Sequence, residues 1–251
     1  MKAHDVLRVG VFVATCLLWV SGCGDDSSAP PATPVTTRLS ADANTVGLWH
    51  FNEGSGQTVA DASGNGWDLT LGSNGTAESI DPAWATSGRF GRGLAFTASE
   101  TDYVSGPGVA AFGNNQITVE FWIKTSSTDV SNPAATGNIC FTAQLNSDGR
   151  IQAGVGDGSS SSGAALSTTA INDDQWHYVA VVYDGTENSG SLYLYIDGSL
   201  EDSITSVNIT LADPSTWFIG GRPSGVFVDG RMDEFRVSDN ARPASEIADN
   251  N

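Results

Sequence analysis

The residues best suited to chemistry in this chain are oxygen ligands gathered in residues 47–71. A strand-like run carrying Leu48, Trp49 and Phe51 is stopped by Glu53, Gly54, Ser55 and Gly56, a stretch rich in residues that tolerate positive φ. Asp61, Ser63, Asn65 and Asp68 then punctuate a loop whose Gly64 and Gly66 let the backbone fold back, so that side-chain and carbonyl oxygens converge. Glu53, Asp61 and Asn65 therefore form a candidate hard-cation site. Oxygen-only ligands on a flexible loop favour calcium over magnesium, and the absence of cysteine and histidine from the loop disfavours zinc. The role expected of the ion is structural. The alternative is that Asp61 and Asn65 only bond the turn as Asx motifs.

No catalytic residue is expected. A nucleophilic Cys140 would need a base, yet the histidines His50 and His177 each sit inside an apolar strand pattern, so Cys140 reads as a buried, inert thiol. The glycine- and serine-rich residues 154–163 lack the lysine and helix start of a phosphate loop and read as an exposed flexible loop. Asp233 and Glu234 are adjacent, and a regular strand sends neighbours to opposite faces, so they cannot share one sugar ring as acid and nucleophile. Trp122, Tyr193 and Tyr195 are the candidate ligand-binding residues, because flat aromatic faces stack on sugar rings; core packing is the competing role for each.

The elements that must position these residues are strands. Gln116–Lys124 alternates, with Ile117, Val119, Phe121 and Ile123 on one face and Thr118, Glu120, Trp122 and Lys124 on the other. Trp176–Asp184 is apolar on both faces, as a central strand would be, and in residues 191–197 Leu192, Leu194 and Ile196 oppose Tyr193 and Tyr195. Asp184-Gly185 and Asp197-Gly198 mark hairpin turns. Only residues 243–248 read as a helix, with Pro243 in the first turn.

Ahead of the strands lie Lys2 and Arg8 and then an uncharged apolar run from Val9 to Val20, the pattern of an export signal and too short to span a bilayer comfortably. Val20-Ser-Gly-Cys23 resembles the lipobox of bacterial lipoprotein precursors. That resemblance implies a signal peptide over 1–22, lipidation of Cys23, and anchoring to a membrane through the lipid alone. Gly24 in the next position implies the outer membrane as the location within the cell envelope. Residues 23–44, poor in large apolar side chains, read as a disordered tether. With 29 Asp+Glu against 11 Lys+Arg and a net charge of −18, the chain repels phosphate backbones, so nucleic acid is not an expected partner.

Three ordered blocks carry a second resemblance. They are the Trp49-His-Phe-Asn-Glu-Gly-Ser-Gly56 run with Asp61-Ala-Ser-Gly-Asn-Gly66, then Arg89-Phe-Gly-Arg-Gly-Leu-Ala-Phe96, and finally Phe218-Ile-Gly-Gly-Arg-Pro-Ser-Gly225 with Asp229-Gly-Arg-Met-Asp-Glu-Phe-Arg-Val237. Together they resemble a laminin G-like domain of the concanavalin A-like lectin and glucanase superfamily. The resemblance implies an all-β jelly-roll sandwich of two antiparallel sheets over 45–251, to which the residues at 243–248 add a short C-terminal helix. It also implies that first and last strands lie side by side, which would bring Asp233 to the cation loop unless Asp233 pairs with Arg231 or Arg236. Glucanases of this fold carry a Glu-x-Asp-x-x-Glu run that this chain lacks. The expected function is that of a non-enzymatic cell-surface module that binds a glycan, or alternatively a surface protein.

Overall fold

The computed structural model describes residues 38–109 and 112–251; residues 1–22, read as a signal peptide, and Cys23 lie outside the described residues. The strands run in chain order as β1 (Thr45–Trp49), β2 (Thr58–Val59), β3 (Leu69–Leu71), β4 (Ala83–Ala85), β5 (Gly93–Phe96), β6 (Val104–Pro107), β7 (Gln116–Lys124) and β8 (Ser131–Thr136). They continue as β9 (Ile139–Leu145), β10 (Arg150–Gly158), β11 (Ser161–Ala170), β12 (Trp176–Asp184), β13 (Ser191–Ile196), β14 (Ser199–Ile204), β15 (Thr216–Ile219) and β16 (Gly230–Ser238), and the helix α1 (Ala244–Asp249) closes the chain. The fold is a sandwich of two antiparallel sheets. One, here the closed sheet, has the order β14-β13-β12-β7-β16-β5-β4, with β1 also paired to β16; the other, the open sheet, has the order β11-β10-β9-β8-β15-β6-β3-β2.

Period-2 alternation produces this architecture directly. In β7 the face bearing Ile117, Val119, Phe121 and Ile123 is buried between the sheets, where it meets Trp49, Trp217 and Phe235. The doubly apolar β12 is central, flanked by β7 and β13, and both its faces are covered: Val179, Val181 and Tyr183 enter the core between the sheets, and Tyr178, Ala180 and Val182 a second cluster on the outer side. The tight turn at Asp197 and Gly198, both at positive φ, joins β13 to β14 as the dipeptide predicts.

Two segments depart from their expected structure. Residues 154–163 are a hairpin, with β10 and β11 paired from Gln152 opposite Leu166 to Gly156 opposite Ser161. The glycines belong to strands because their neighbours come too close for a side chain: a Cβ on Gly156 would lie 2.2 Å from the Ile139 carbonyl oxygen. The tether read over 23–44 does not extend through Arg38 to Asn44. Leu39 is 2 % exposed, Asp42 pairs with Arg242 at 2.7 Å, and the Ser40 carbonyl accepts from Arg236 at 2.9 Å.

A second apolar cluster lies on the outer side of the closed sheet. There Leu39, Leu48, Trp122, Tyr178, Ala180, Tyr195 and Ile247 pack together beneath the N-terminal segment and α1. Under that cover a buried polar network centres on Glu120, which accepts from Arg236 Nε at 2.6 Å and Nη2 at 2.8 Å, and from the Tyr178 hydroxyl. Arg242 lies 3.5 Å from the same carboxylate and pairs with Glu246 of α1.

Candidate functional site

The loop read as a cation site is held by hydrogen bonds made within itself and to β1. Asp61 Oδ1 accepts from the backbone N–H of Leu48 (3.1 Å) and Ser63 (2.8 Å), and Oδ2 from the Ser63 hydroxyl (2.7 Å) and the Trp67 N–H (3.0 Å). Burial acts to raise its pKa, but these donors, Trp67 foremost, hold it below the ordinary value. Glu53 accepts from the Ala60 N–H at 2.9 Å, and Asn65 turns its Nδ2 toward the Thr45 and Val46 carbonyls, each at 3.0 Å. The oxygens of Asp61 are thus committed to Asx-type bonding that fastens the loop to β1.

Asp233 does not join them, nor does it pair with Arg231 or Arg236. It sits at a β-bulge in β16 where Glu234 takes φ +50° and the strand exchanges β5 for β1 as its edge partner. Its Oδ2 accepts from the Phe90 N–H (2.8 Å) and Oδ1 from the Glu234 N–H (2.9 Å). Arg231 donates to Ser87 and Arg236 to Glu120. Burial, aided by the charge of Glu234, pushes Asp233 up to about 7. Glu234, fully buried, lies 2.8 Å from His50 Nδ1 and 3.2 Å from Arg38 Nε. Among the described residues no three or more His, Cys, Asp or Glu side chains converge as a metal site. Glu53, Asp61, Asn65 and Asp233 therefore do not fit a shared calcium ion in this arrangement.

The aromatic candidates on the closed sheet fare differently from one another. Trp122 is 2 % exposed, wedged between Phe90 (centroids 5.8 Å apart) and Tyr178 (5.5 Å), with the Arg89 guanidinium 4.4 Å above its ring. It cannot stack on a ligand there, because cover arriving from distant segments has turned an outward strand position into a second core. Tyr195 is buried in the same cluster. Tyr193 stays half-exposed beside a depression of about 340 Å³, and its hydroxyl donates to Glu187 at 2.6 Å. A larger depression of about 400 Å³ lies where β7 ends and β16 begins, but it is wide open, and its Lys124 is paired with Asp174 at 3.4 Å.

The open sheet presents the other candidate. Strand register puts Thr70, Ser105, Phe218, Ala135, Thr142 and Gly154 in one outward row across six strands, while the adjoining inward row of Leu71, Val104, Ile219, Ala134, Ala143 and Ala153 is core. Beside the outward row, Gln144 faces Gln152 across the β9–β10 ladder. Two contiguous cavities, of about 200 and 160 Å³, follow this surface and share Thr142, Gln144, Gly154 and Ser161. Gly154 keeps the floor low, and Asn132, Asn138 and Arg222 stand at one end. Among the described residues the Arg222 side chain makes no ion pair. The groove lining contains amides, hydroxyls and a guanidinium but no carboxylate. These residues were missed in the sequence, although Phe141-Thr-Ala-Gln-Leu145 and Ile151-Gln-Ala-Gly154 carry the alternation that sends Thr142, Gln144 and Gln152 outward.

Cys140, 3 % exposed, approaches the Asp213 carbonyl at 3.6 Å, and burial raises its thiol above the ordinary value. No general base stands beside it among the described residues, in keeping with an inert thiol.

A family model described as the concanavalin A-like lectin/glucanases superfamily, of laminin G type, matches residues 97–248. No curated protein matches the chain. Among solved structures, the chain is similar to the binding domain of Paraclostridial Mosquitocidal Protein 1, at 18 % identity over 82 % of this chain and 51 % of that one, with a TM-score of 0.64. It is also similar to the binding domain of Botulinum neurotoxin DC, at 13 % identity: TM-score 0.62 over 82 % of this chain and 50 % of that one in the complex with SialylT, and 0.62 over 83 % and 51 % in the complex with rat synaptotagmin II. At these identities the likeness is one of fold, and this chain spans about half the length of those binding domains.

Proposed function

From the premise that this chain belongs to the concanavalin A-like lectin/glucanase superfamily, we propose that it is a non-catalytic module that binds a glycan on the outer face of the open sheet. The observation that carries the reading is the contrast between the two outer faces. Leu39, Ile247 and the Glu120 network seal the closed sheet, whereas the open sheet offers a groove lined by Thr142, Gln144, Gln152, Asn132 and Asn138. A side-chain amide supplies donors and an acceptor together, which suits the adjacent hydroxyls of a sugar ring, and Arg222 adds a cation at one end. Glycoside cleavage needs two carboxylates facing each other across the bond, and the carboxylate-free lining supports binding without hydrolysis.

Lipidation at Cys23 and a tether after it would anchor the module at the cell envelope, with the outer membrane as its location, and the lipobox-like Val20-Ser-Gly-Cys23 supports this. Calcium at Glu53, Asp61, Asn65 and Asp233 is not part of the reading. A second occupant of the groove, a surface protein, is supported by one of the similar domains, that of Botulinum neurotoxin DC, having been solved with SialylT and with rat synaptotagmin II. A glycan array probed with the protein tests the choice: a selective set of bound glycans supports the glycan reading, and an array with none bound moves the assignment to a protein partner.

A further inference from the structure

Two polar side chains at the Arg222 end of the groove lack partners. Asn132 is only 9 % exposed and lines the cavity of about 200 Å³, yet its side-chain amide makes no hydrogen bond among the described residues. Arg222, half-buried in the same lining, makes neither an ion pair nor a hydrogen bond through its guanidinium among the described residues. Buried polar groups are as a rule paired, and a chain with 29 Asp+Glu against 11 Lys+Arg has no shortage of carboxylates to offer a cation. The remaining amides of the cavity are partly used. Asn138 Nδ2 donates to the Asp213 carbonyl (3.0 Å) and its Oδ1 accepts from the Ser215 N–H (2.9 Å), while Gln144 Nε2 donates to Asn146 (3.0 Å).

The backbone holds Asn132 and Arg222 side by side. Arg222-Pro-Ser-Gly225 is a β-turn closed by the Gly225 N–H on the Arg222 carbonyl (2.8 Å), with proline at its second position. The flanks of the turn are tied down: the Gly220 N–H donates to the Pro133 carbonyl of β8 (3.0 Å), the Val228 N–H to the Gly220 carbonyl (2.7 Å) and the Asn132 N–H to the Val226 carbonyl (3.3 Å). Gly225 lies against both side chains, since a Cβ there would come 2.9 Å from Arg222 Cγ and 3.4 Å from Asn132 Oδ1. The pair is therefore set in place before any ligand arrives.

A guanidinium only donates, and an amide donates as well as accepts, so the pair offers donors in excess. A neutral sugar hydroxyl would accept from them but leave the charge unmatched, whereas a carboxylate matches it and presents two acceptor oxygens to the guanidinium fork. The net charge of −18 sets a limit in the other direction. It repels a polyanion over its whole length, while one carboxylate seated at Arg222 feels distant acids only through salt, with a Debye length of about 8 Å. We propose, resting on the glycan reading above, that the ligand is a glycan ending in a single sugar acid, whose carboxylate is received by Arg222 and Asn132 while Gln144 and Gln152 hold the adjoining ring.

Calorimetric titration of paired oligosaccharides tests it, with glycans ending in glucuronic, galacturonic or N-acetylneuraminic acid each set beside its counterpart reduced from carboxyl to alcohol. At least one acid should bind tenfold or more tightly than its reduced counterpart, about 1.4 kcal/mol. Arg222→Gln, with an unchanged melting curve, should erase that ratio, and Arg231→Gln, which removes the same charge from the other sheet, should keep it. Should Arg222→Gln fail to fold, Arg222→Lys decides, because it keeps the charge, loses the fork and should lower the ratio. Equal affinity for acidic and reduced members, lost in Gln144→Ala/Gln152→Ala, overturns the proposal and leaves the glycan reading standing; no binding of any member overturns both. An intact ratio in folded Arg222→Gln, or tighter binding of heparin than of the single acids, also overturns it.

Discussion

Glu120→Gln tests whether the closed sheet is sealed as strongly as its buried network implies. The Glu120 carboxylate meets Arg236 at 2.6 and 2.8 Å, Asn250 at 3.1 Å and Arg242 at 3.5 Å, and accepts from Tyr178, while both arginine side chains are at most 2 % exposed. Removing one partner of a buried ion pair costs about 3–5 kcal/mol, because the remaining charge stays out of water. Two features hold the loss near the lower end. Glutamine keeps the shape and one acceptor, and Asp42 and Glu246 still lie 2.7 Å from Arg242 and 3.7 Å from Arg236. The expected loss is therefore about 3 kcal/mol, or a fall in Tm of roughly 6–12 °C for a domain of this size. Urea unfolding should show the midpoint falling with an unchanged m-value, and added salt should do little to the difference because the charges are buried. A loss below about 1 kcal/mol would refute the argument that this network fastens α1 and the N-terminal segment over the sheet.

The pH dependence of Asp233 has a definite sign. Its folded value, raised to about 7 by burial first and Glu234 second, means that its contribution is fully present below about pH 4 and is lost as pH rises through 7. Asp233→Asn should therefore flatten the decline in stability between about pH 4 and 7, as measured by denaturant unfolding; an unchanged slope would contradict the assignment. Cys140→Ser should cost on the order of 1 kcal/mol and leave glycan binding intact, read from a melting curve beside an affinity titration. Cys23→Ala should block palmitate labelling and accumulate uncleaved precursor; persistent labelling would remove the lipid anchor from the account.

The strands were legible in the chain because alternation in β7, the doubly apolar β12 and the turn dipeptides are local signals, whereas the two-sheet sandwich was legible only through the family resemblance of the three ordered blocks. What alternation cannot convey is which outward face stays open. Trp122 stands on the polar side of its strand, next to Glu120 and Lys124, and cover from segments distant in sequence, Arg89 and Phe90 against its ring and Leu39 and Ile247 in the same cluster, converts that side into core. The same gap hid the groove, where the outward positions of Thr142, Gln144 and Gln152 follow from period-2 spacing but their free surface depends on the absence of a covering segment. Glycine misled at 154–163, since Gly156 serves close strand approach rather than flexibility. The oxygen-rich loop was correctly read as a tight turn, yet donors from β1 and Trp67, not visible as a pattern, use the carboxylate that seemed free for an ion.

Titration of an array-selected glycan into the parent, into Gln144→Ala/Gln152→Ala and into Tyr193→Ala tests the central claim most directly, because the variants lie on opposite outer faces. Loss of the paired amides should weaken binding tenfold or more, about 1.4 kcal/mol, with the fold intact by melting curve, while Tyr193→Ala should bind as the parent does. Undiminished affinity in the double variant, with binding lost in Tyr193→Ala, would contradict the account and move the site to the closed sheet.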